Sequence, residues 1–237
     1  MTAWICDVHG VLVDSTALVH EAFVATAARY GVPFAEYDYR RVKAVPLVEA
    51  YRRLDPAGDP FAKRQYHLHY VRERIADVRA YPGVLETLSL ASAAGIRIGA
   101  ATSYGEIAEA CLVNTNLYPL FDCLVTQEDV KRPKPHPDSI LLVLRLLAVP
   151  DGHGGPGHAL FVGDTATDIE AGKAAAVRTV GVSYGVSPEA EIRAARPDHV
   201  LDSFQQMRQF LAGAERDGRE AHVRGDSIPA EFRPGVV

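Results

Sequence analysis

Short apolar runs alternating with amphipathic stretches restrict the folds open to this chain more than any other feature. Residues 4–6, 96–101, 121–125, 159–162, 178–182 and 199–201 read as strands. Between most of them lie helical patterns, at 84–94, 105–113, 137–147 and 188–195. Apolar runs of this length, bounded by glycine and proline and separated by helices, predict an α/β fold with a mostly parallel sheet covered on both faces. Residues 15–80 contain no comparable strand. They read as helices at 16–30, 45–54 and 61–78, the last two parted by the breakers Asp55-Pro56-Ala57-Gly58-Asp59-Pro60. The arrangement expected is a Rossmann-like core formed by residues 1–14 and 81–211, with an all-helical cap of residues 15–80 inserted after the first strand. The insertion leaves and re-enters near the carboxyl end of that strand, where open α/β sheets bind ligands. A glycine-rich loop is expected at 151–157. Residues 212–237 are rich in Gly, Pro, Arg and acidic residues with few apolar anchors, so a mobile tail is expected there.

Composition narrows the function classes. Hydrophobic residues make up 48% of 237, which excludes global disorder. A formal net charge of -5 gives no footprint for nucleic acid. Charges interrupt every stretch long enough to span a membrane, and no signal peptide precedes the first strand. The three cysteines, Cys6, Cys111 and Cys123, form no Cys-x-x-Cys pair. A cytoplasmic protein, monomeric or homodimeric, is the expectation.

Four positions fall at strand exits or in the loops beyond them: Asp7, Thr102, Lys134 and Asp164. In a parallel sheet those exits share one edge, so the four can converge. Asp7 leaves an apolar strand where solvation is restricted, a setting for a carboxylate nucleophile toward phosphorus. Asp164 and Asp168 follow another buried strand, and carboxylates with phosphate oxygens suit Mg²⁺. Asp168 at a helix start also fits an N-cap. Thr102 and Ser103 offer hydroxyls and N–H groups to phosphoryl oxygens. Lys134, stiffened by neighbouring prolines, can stabilise charge on a transferring phosphoryl group. Lys131 and Arg132 read as solvated.

Together these residues resemble the haloacid dehalogenase-like superfamily, in particular its phosphoglycolate-phosphatase and β-phosphoglucomutase-like branch. Four ordered motifs carry the resemblance. They are Asp7-Val-His-Gly-Val-Leu-Val-Asp-Ser15, Ile98-Gly-Ala-Ala-Thr-Ser103, Lys134-Pro-His-Pro-Asp138 and Val162-Gly-Asp-Thr-Ala-Thr-Asp-Ile-Glu-Ala-Gly172. Tyr81-Pro-Gly-Val-Leu-Glu-Thr-Leu88 resembles the return from cap to core. The resemblance implies a magnesium-dependent phosphatase of a small phosphorylated metabolite, acting through an aspartyl phosphate on Asp7. It implies Thr102 and Ser103 at the phosphate and Lys134 as the neutralising cation. It further implies Mg²⁺ held by Asp7, Asp164 and the His9 backbone carbonyl, with Asp168 as a direct or supporting ligand.

His9 departs from the pattern. The group places an aspartate there, which protonates the leaving alcohol and then activates water. Imidazole can carry a proton near neutral pH, so His9 is a candidate acid/base. The alternatives are an inactive or weakly active phosphate-binding regulator and, further off, a hydrolase of phosphonates or other C–X bonds. Lys43 and Lys63, the cap lysines that phosphonate chemistry would need, read as solvent-facing. Tyr39, Arg40, Arg41 and Lys43 form a basic-aromatic patch that could meet an anionic substrate. His20, His67, His69, His136, His153 and His158 form no zinc motif and read as surface, capping or packing residues.

Overall fold

The computed structural model describes residues 2–42, 45–149 and 158–213. Its first strand, β1 (Ala3–Cys6), is buried at every position, and its side chains alternate between two cores. Trp4 and Cys6 enter the larger core, which continues into the cap; Ala3 and Ile5 enter a smaller one beneath the opposite face. A strand packed on both faces has no polar side, which is why residues 4–6 are an unbroken apolar run.

Beyond β1 the chain forms β2 (Val13–Asp14), then helices α1 (Thr16–Tyr30), α2 (Glu36–Val42), α3 (Leu47–Leu54) and α4 (Pro60–Arg72), and returns through β3 (Arg79–Ala80). The core resumes with α5 (Val84–Ala93), β4 (Arg97–Thr102), α6 (Gly105–Asn114), β5 (Cys123–Thr126) and α7 (Asp138–Leu146). It ends with β6 (Ala159–Gly163), α8 (Ala166–Ala174), β7 (Arg178–Val182), α9 (Glu189–Ala194) and β8 (His199–Leu201). The six core strands lie in the order β5-β4-β1-β6-β7-β8, and every pairing is parallel. Cys6 sits opposite Ala100 on one side and Val162 on the other, so Asp7 emerges level with the ends of β4 and β6. The expected α/β core with an all-helical insertion after the first strand is the architecture found. The glycine-rich loop at 151–157 and residues 214–237 of the expected tail lie outside the described residues.

Within the insertion the larger core gathers around an aromatic cluster. Phe23 of α1 stacks on Phe34 at 5.8 Å and meets Tyr51 and His67 at 5.4 and 4.7 Å. Two short strands, β2 and β3, pair antiparallel through Val13↔Ala80 and Asp14↔Arg79 and so join the two linkers between core and cap.

Three local expectations change. Residues 36–42 are helical although Glu-Tyr-Asp-Tyr-Arg-Arg-Val shows no apolar period. The stretch 61–78 stops at Arg72 and becomes a single 3₁₀ turn at Ile75–Asp77. There the carbonyls of Ala76 and Val78 are taken by the Arg79 guanidinium, and that of Val78 also by Asn114 Nδ2, so a continuing helix is not needed to satisfy them. Lys63 is not solvent-facing. It is buried, with Nζ 2.8 Å from Asp55 Oδ2 and 5.1 Å from the centre of the Tyr30 ring.

His67 gives the cap a pH dependence. Fully buried, it pairs through Nδ1 with the Tyr51 hydroxyl at 2.8 Å, and burial lowers its pKa to about 3. The unfolded chain binds this proton near pH 6.5, so stability is lost as pH falls from there toward the folded value. Of the change in stability between pH 7 and pH 5 in urea titrations, His67 should contribute a loss on the order of 2 kcal/mol, read as the difference from a variant lacking it, since His9, Asp7 and Asp164 titrate alongside. His67→Gln should show a clearly shallower loss over the same interval; an unchanged slope would refute this assignment.

Candidate active site

Register brings the chemistry-bearing residues to one sheet edge. The Asp7 N–H donates to the Val162 carbonyl at 2.9 Å, which fixes the nucleophile candidate against β6. Thr102 closes β4 opposite Thr126 and is buried. Lys134, in the loop after β5, reaches back across the edge. Its Nζ lies 2.6 Å from Asp168 Oδ1 and 3.3 Å from Asp7 Oδ1, and it donates to the Ala101 carbonyl at 3.2 Å.

Asp164 and Asp168 follow β6. Thr165, not Asp168, is the N-cap of α8. Asp168 is the third helical residue and completes a reciprocal capping box with Thr165. Its Oδ2 accepts from the N–H groups of Asp164 and Thr165 at 3.3 and 3.1 Å and from Thr165 Oγ1 at 2.6 Å. Its Oδ1 faces Lys134. Both oxygens of Asp168 are therefore engaged.

Asp7, Asp164 and Asp168 can each offer a carboxylate oxygen within 4.8 Å of the others, and all three are buried. With all three ionised, one ammonium faces three carboxylates. Burial raises the Asp7 pKa to about 6; Lys134 opposes this rise and Asp168 adds to it. Asp164 is pushed well up, first by burial and then by Asp168 and Asp7. Burial disfavours the Lys134 ammonium, but the carboxylates of Asp168 and Asp7 outweigh it and leave its pKa above the ordinary value. Asp7 Oδ1, beyond its ion pair, accepts no hydrogen bond. A crowded, anionic set of hard oxygen donors with uncompensated charge fits a small divalent cation.

His9 also lines this cleft. Its Nδ1 is 2.9 Å from Ser15 Oγ, while Nε2 is buried without a hydrogen bond. Ser15 stands at the N-cap of α1 yet makes no side-chain capping bond. Burial lowers His9 to about 4, the Tyr104 backbone opposing and Lys134 reinforcing that shift.

The cleft has a volume of about 90 Å³. Core residues Asp7, Thr102, Ser103, Lys134, Asp164 and Asp168 line it, and the cap closes it with Val45, Pro46, Leu47, Arg64 and Leu68. Of the basic-aromatic patch, Tyr39 and Arg41 do not line it. Tyr39 packs on Phe23 and His20 instead, at 5.9 and 4.5 Å. Lys43 and the side chain of Arg40 lie outside the described residues. The cleft contains Arg64, Tyr104 and Gln127, which the sequence reading did not single out. Arg64 and Leu68 are four apart on α4 and so share a face, a pattern visible in the sequence once one of them is placed. Tyr104 directly follows the Thr102-Ser103 pair.

The comparisons with known proteins agree with this geometry. A family model described as haloacid dehalogenase-like hydrolase matches residues 4–182. "Pyrophosphatase PpaX" of Oceanobacillus iheyensis is 25% identical over 202 residues, covering 85% of this chain and 92% of that protein. "Probable phosphatase IndB" of Dickeya dadantii is 30% identical over 215 residues, covering 86% and 90%. The crystal structure of CbbY from Rhodobacter sphaeroides in complex with phosphate superposes with a TM-score of 0.77 at 25% identity, over 87% of this chain and 96% of that one. Among the described residues no helix is long and apolar enough to cross a membrane. The protein belongs to the haloacid dehalogenase-like hydrolases, in the branch of the phosphoglycolate phosphatases and β-phosphoglucomutases.

Proposed function

We propose that this hydrolase is a magnesium-dependent phosphatase of a small phosphorylated metabolite, working through an aspartyl phosphate on Asp7. The observation that carries the reading is the convergence of Asp7, Asp164 and Asp168 within 4.8 Å, with Lys134 between two of them. The named relatives, a pyrophosphatase and a phosphatase, and the phosphate held by the CbbY structure support chemistry at phosphorus.

Asp7 and Asp164, with the His9 carbonyl, would hold the cation. Asp168, with both oxygens engaged, would support the site and orient Lys134. Magnesium supplies charge neutralisation for the approaching anions. An Asp7 oxygen attacks phosphorus, the bond from phosphorus to the leaving oxygen breaks, and that oxygen takes a proton. Water then attacks the aspartyl phosphate, releasing phosphate and regenerating the Asp7 carboxylate. Thr102, Ser103 and Lys134 bind the phosphoryl oxygens as charge redistributes. His9 delivers that proton from Nε2 in its protonated form, which an arriving phosphoryl anion favours against the burial that lowers its pKa, and it recovers the proton from the attacking water; Ser15 fixes the ring through Nδ1. The helical insertion acts as a cap that excludes water while the first bond breaks. Lys63 is committed to Asp55 and does not line the cleft, so it does not serve a Schiff-base route to phosphonates; Lys43, the other cap lysine, lies outside the described residues.

Three measurements test this reading. In a Mg²⁺-dependent screen of sugar phosphates, phosphoglycolate, nucleotides and pyrophosphate, wild type should release phosphate and Asp7→Asn should lose about 10³-fold or more; equal rates would end the nucleophile assignment. His9→Ala should lower kcat by about 10²- to 10⁴-fold on a substrate with a poor leaving group, and full activity would remove His9 from proton transfer. Because ionised Asp164 is disfavoured in the fold, Asp164→Asn should melt above wild type in EDTA. Mg²⁺ should then raise the melting temperature of wild type only. A variant that is equally stable or weaker in EDTA would contradict the electrostatic account.

A further inference from the structure

Asp164 is gripped from a side that none of the four motifs covers. Its Oδ2 accepts a hydrogen bond from the Val186 N–H at 2.6 Å, in the loop that follows β7. The adjacent Gly185 leaves no space for a side chain. A β-carbon there would stand 2.4 Å from Asp164 Cβ, 2.5 Å from its Oδ2 and 2.6 Å from the Gly10 carbonyl oxygen. Gly10, three residues after Asp7 and left-handed at φ +79, crowds the same oxygen: a β-carbon there would fall 2.0 Å from Oδ2. The carboxylate is thus packed against two glycine backbones, with one oxygen committed to an N–H.

The same loop is tied to the linkers of the cap. The Tyr184 hydroxyl donates to the Val11 carbonyl at 2.9 Å, on the outgoing linker. Its ring packs on Tyr81, on the returning linker, at 4.7 Å, and the Tyr81 N–H donates to Leu12 at 2.9 Å. Neither Tyr184 nor Gly185 lines the cleft, so neither has a place for contact with substrate.

We infer that residues 184–186 are a positioning element for the cation ligand Asp164: they commit Oδ2, present Oδ1 to the ion, and set its position against the linkers that carry the cap. The inference rests on the divalent-cation reading above. Its physical basis is that Mg²⁺ demands near-octahedral geometry, so a carboxylate held in one rotamer binds with less reorganisation than a free one. Partners behind a metal ligand typically contribute 10- to 100-fold in affinity.

The test is Mn²⁺ affinity of the full-length, substrate-free protein by electron paramagnetic resonance, with Mg²⁺ by competition and the melting temperature in EDTA recorded beside it. Gly185→Ala should weaken Mn²⁺ binding about 10- to 100-fold. Tyr184→Phe keeps the ring on Tyr81 and loses only the hydroxyl bond, so it should weaken binding about 2- to 10-fold. Gly31→Ala, at a left-handed position with open space around it, should lower the melting temperature without changing Mn²⁺ affinity. Wild type that binds while both loop variants bind within twofold of it overturns this inference alone, as does a lowered melting temperature with unchanged affinity. Should Gly185→Ala fail to fold, Tyr184→Phe within twofold overturns it. Wild type that binds no Mn²⁺ overturns the cation reading, and this inference with it.

Discussion

Three buried carboxylates facing one buried lysine set the terms for the rest of the molecule. Charges taken out of water cost several kcal/mol each after relaxation, and among the described residues Lys134 is the one ammonium in ion-pair distance of these carboxylates, so ionising all three together is disfavoured. The arrangement persists because the surrounding scaffold over-determines it. Asp7 is hydrogen-bonded to β6 through its backbone, Asp168 is locked by the capping box at the start of α8, and Asp164 is held by the loop after β7. Each carboxylate is thus held by a different element, and the parallel sheet brings those elements to one edge. A sheet in which β1 were an edge strand could not place Asp7 between the exits of β4 and β6. The central position of β1, buried on both faces, is therefore a requirement of the site as much as of the core.

Much of this was legible in the sequence because it is written locally. The exits of β1, β4 and β6 are apolar runs followed by Asp7, Thr102 and Asp164, and α1 has the bounds that its period and the Gly31-Val32-Pro33 stop imply. What was illegible depends on tertiary partners. Nothing around Lys63 announces that Asp55 and Tyr30 would bury it. The helix at 36–42 has no apolar period to announce it; Tyr39 and Val42 are buried against the cap's centre, so tertiary burial supports that turn. The ring of Tyr39 likewise packs on Phe23 rather than lining the cleft, which its neighbours in sequence do not announce. Asp168 was legible as a helix-start residue but not as the third residue of a capping box, because Thr165 and Asp168 both suit an N-cap and only geometry decides.

Ser15 and His9 show how a departure in a motif is absorbed. Serine at a helix N-cap ordinarily satisfies one of the first free N–H groups of the helix, at roughly 0.5–2 kcal/mol. Here its hydroxyl goes to His9 Nδ1 instead, and α1 begins without a side-chain cap. The helix gives up local stability, and the imidazole gains an orientation it would otherwise lack. Burial on α4 and the aromatic cluster around Phe23 hold α1 in place without the cap. A histidine at position 9 is larger than an aspartate and reaches differently, so it needs a partner to define which nitrogen faces the cleft. Ser15 sits on the first turn of the cap, whereas His9 sits on the core. The bond between them therefore crosses the outgoing linker, and the orientation of the proposed proton carrier is coupled to where the cap begins.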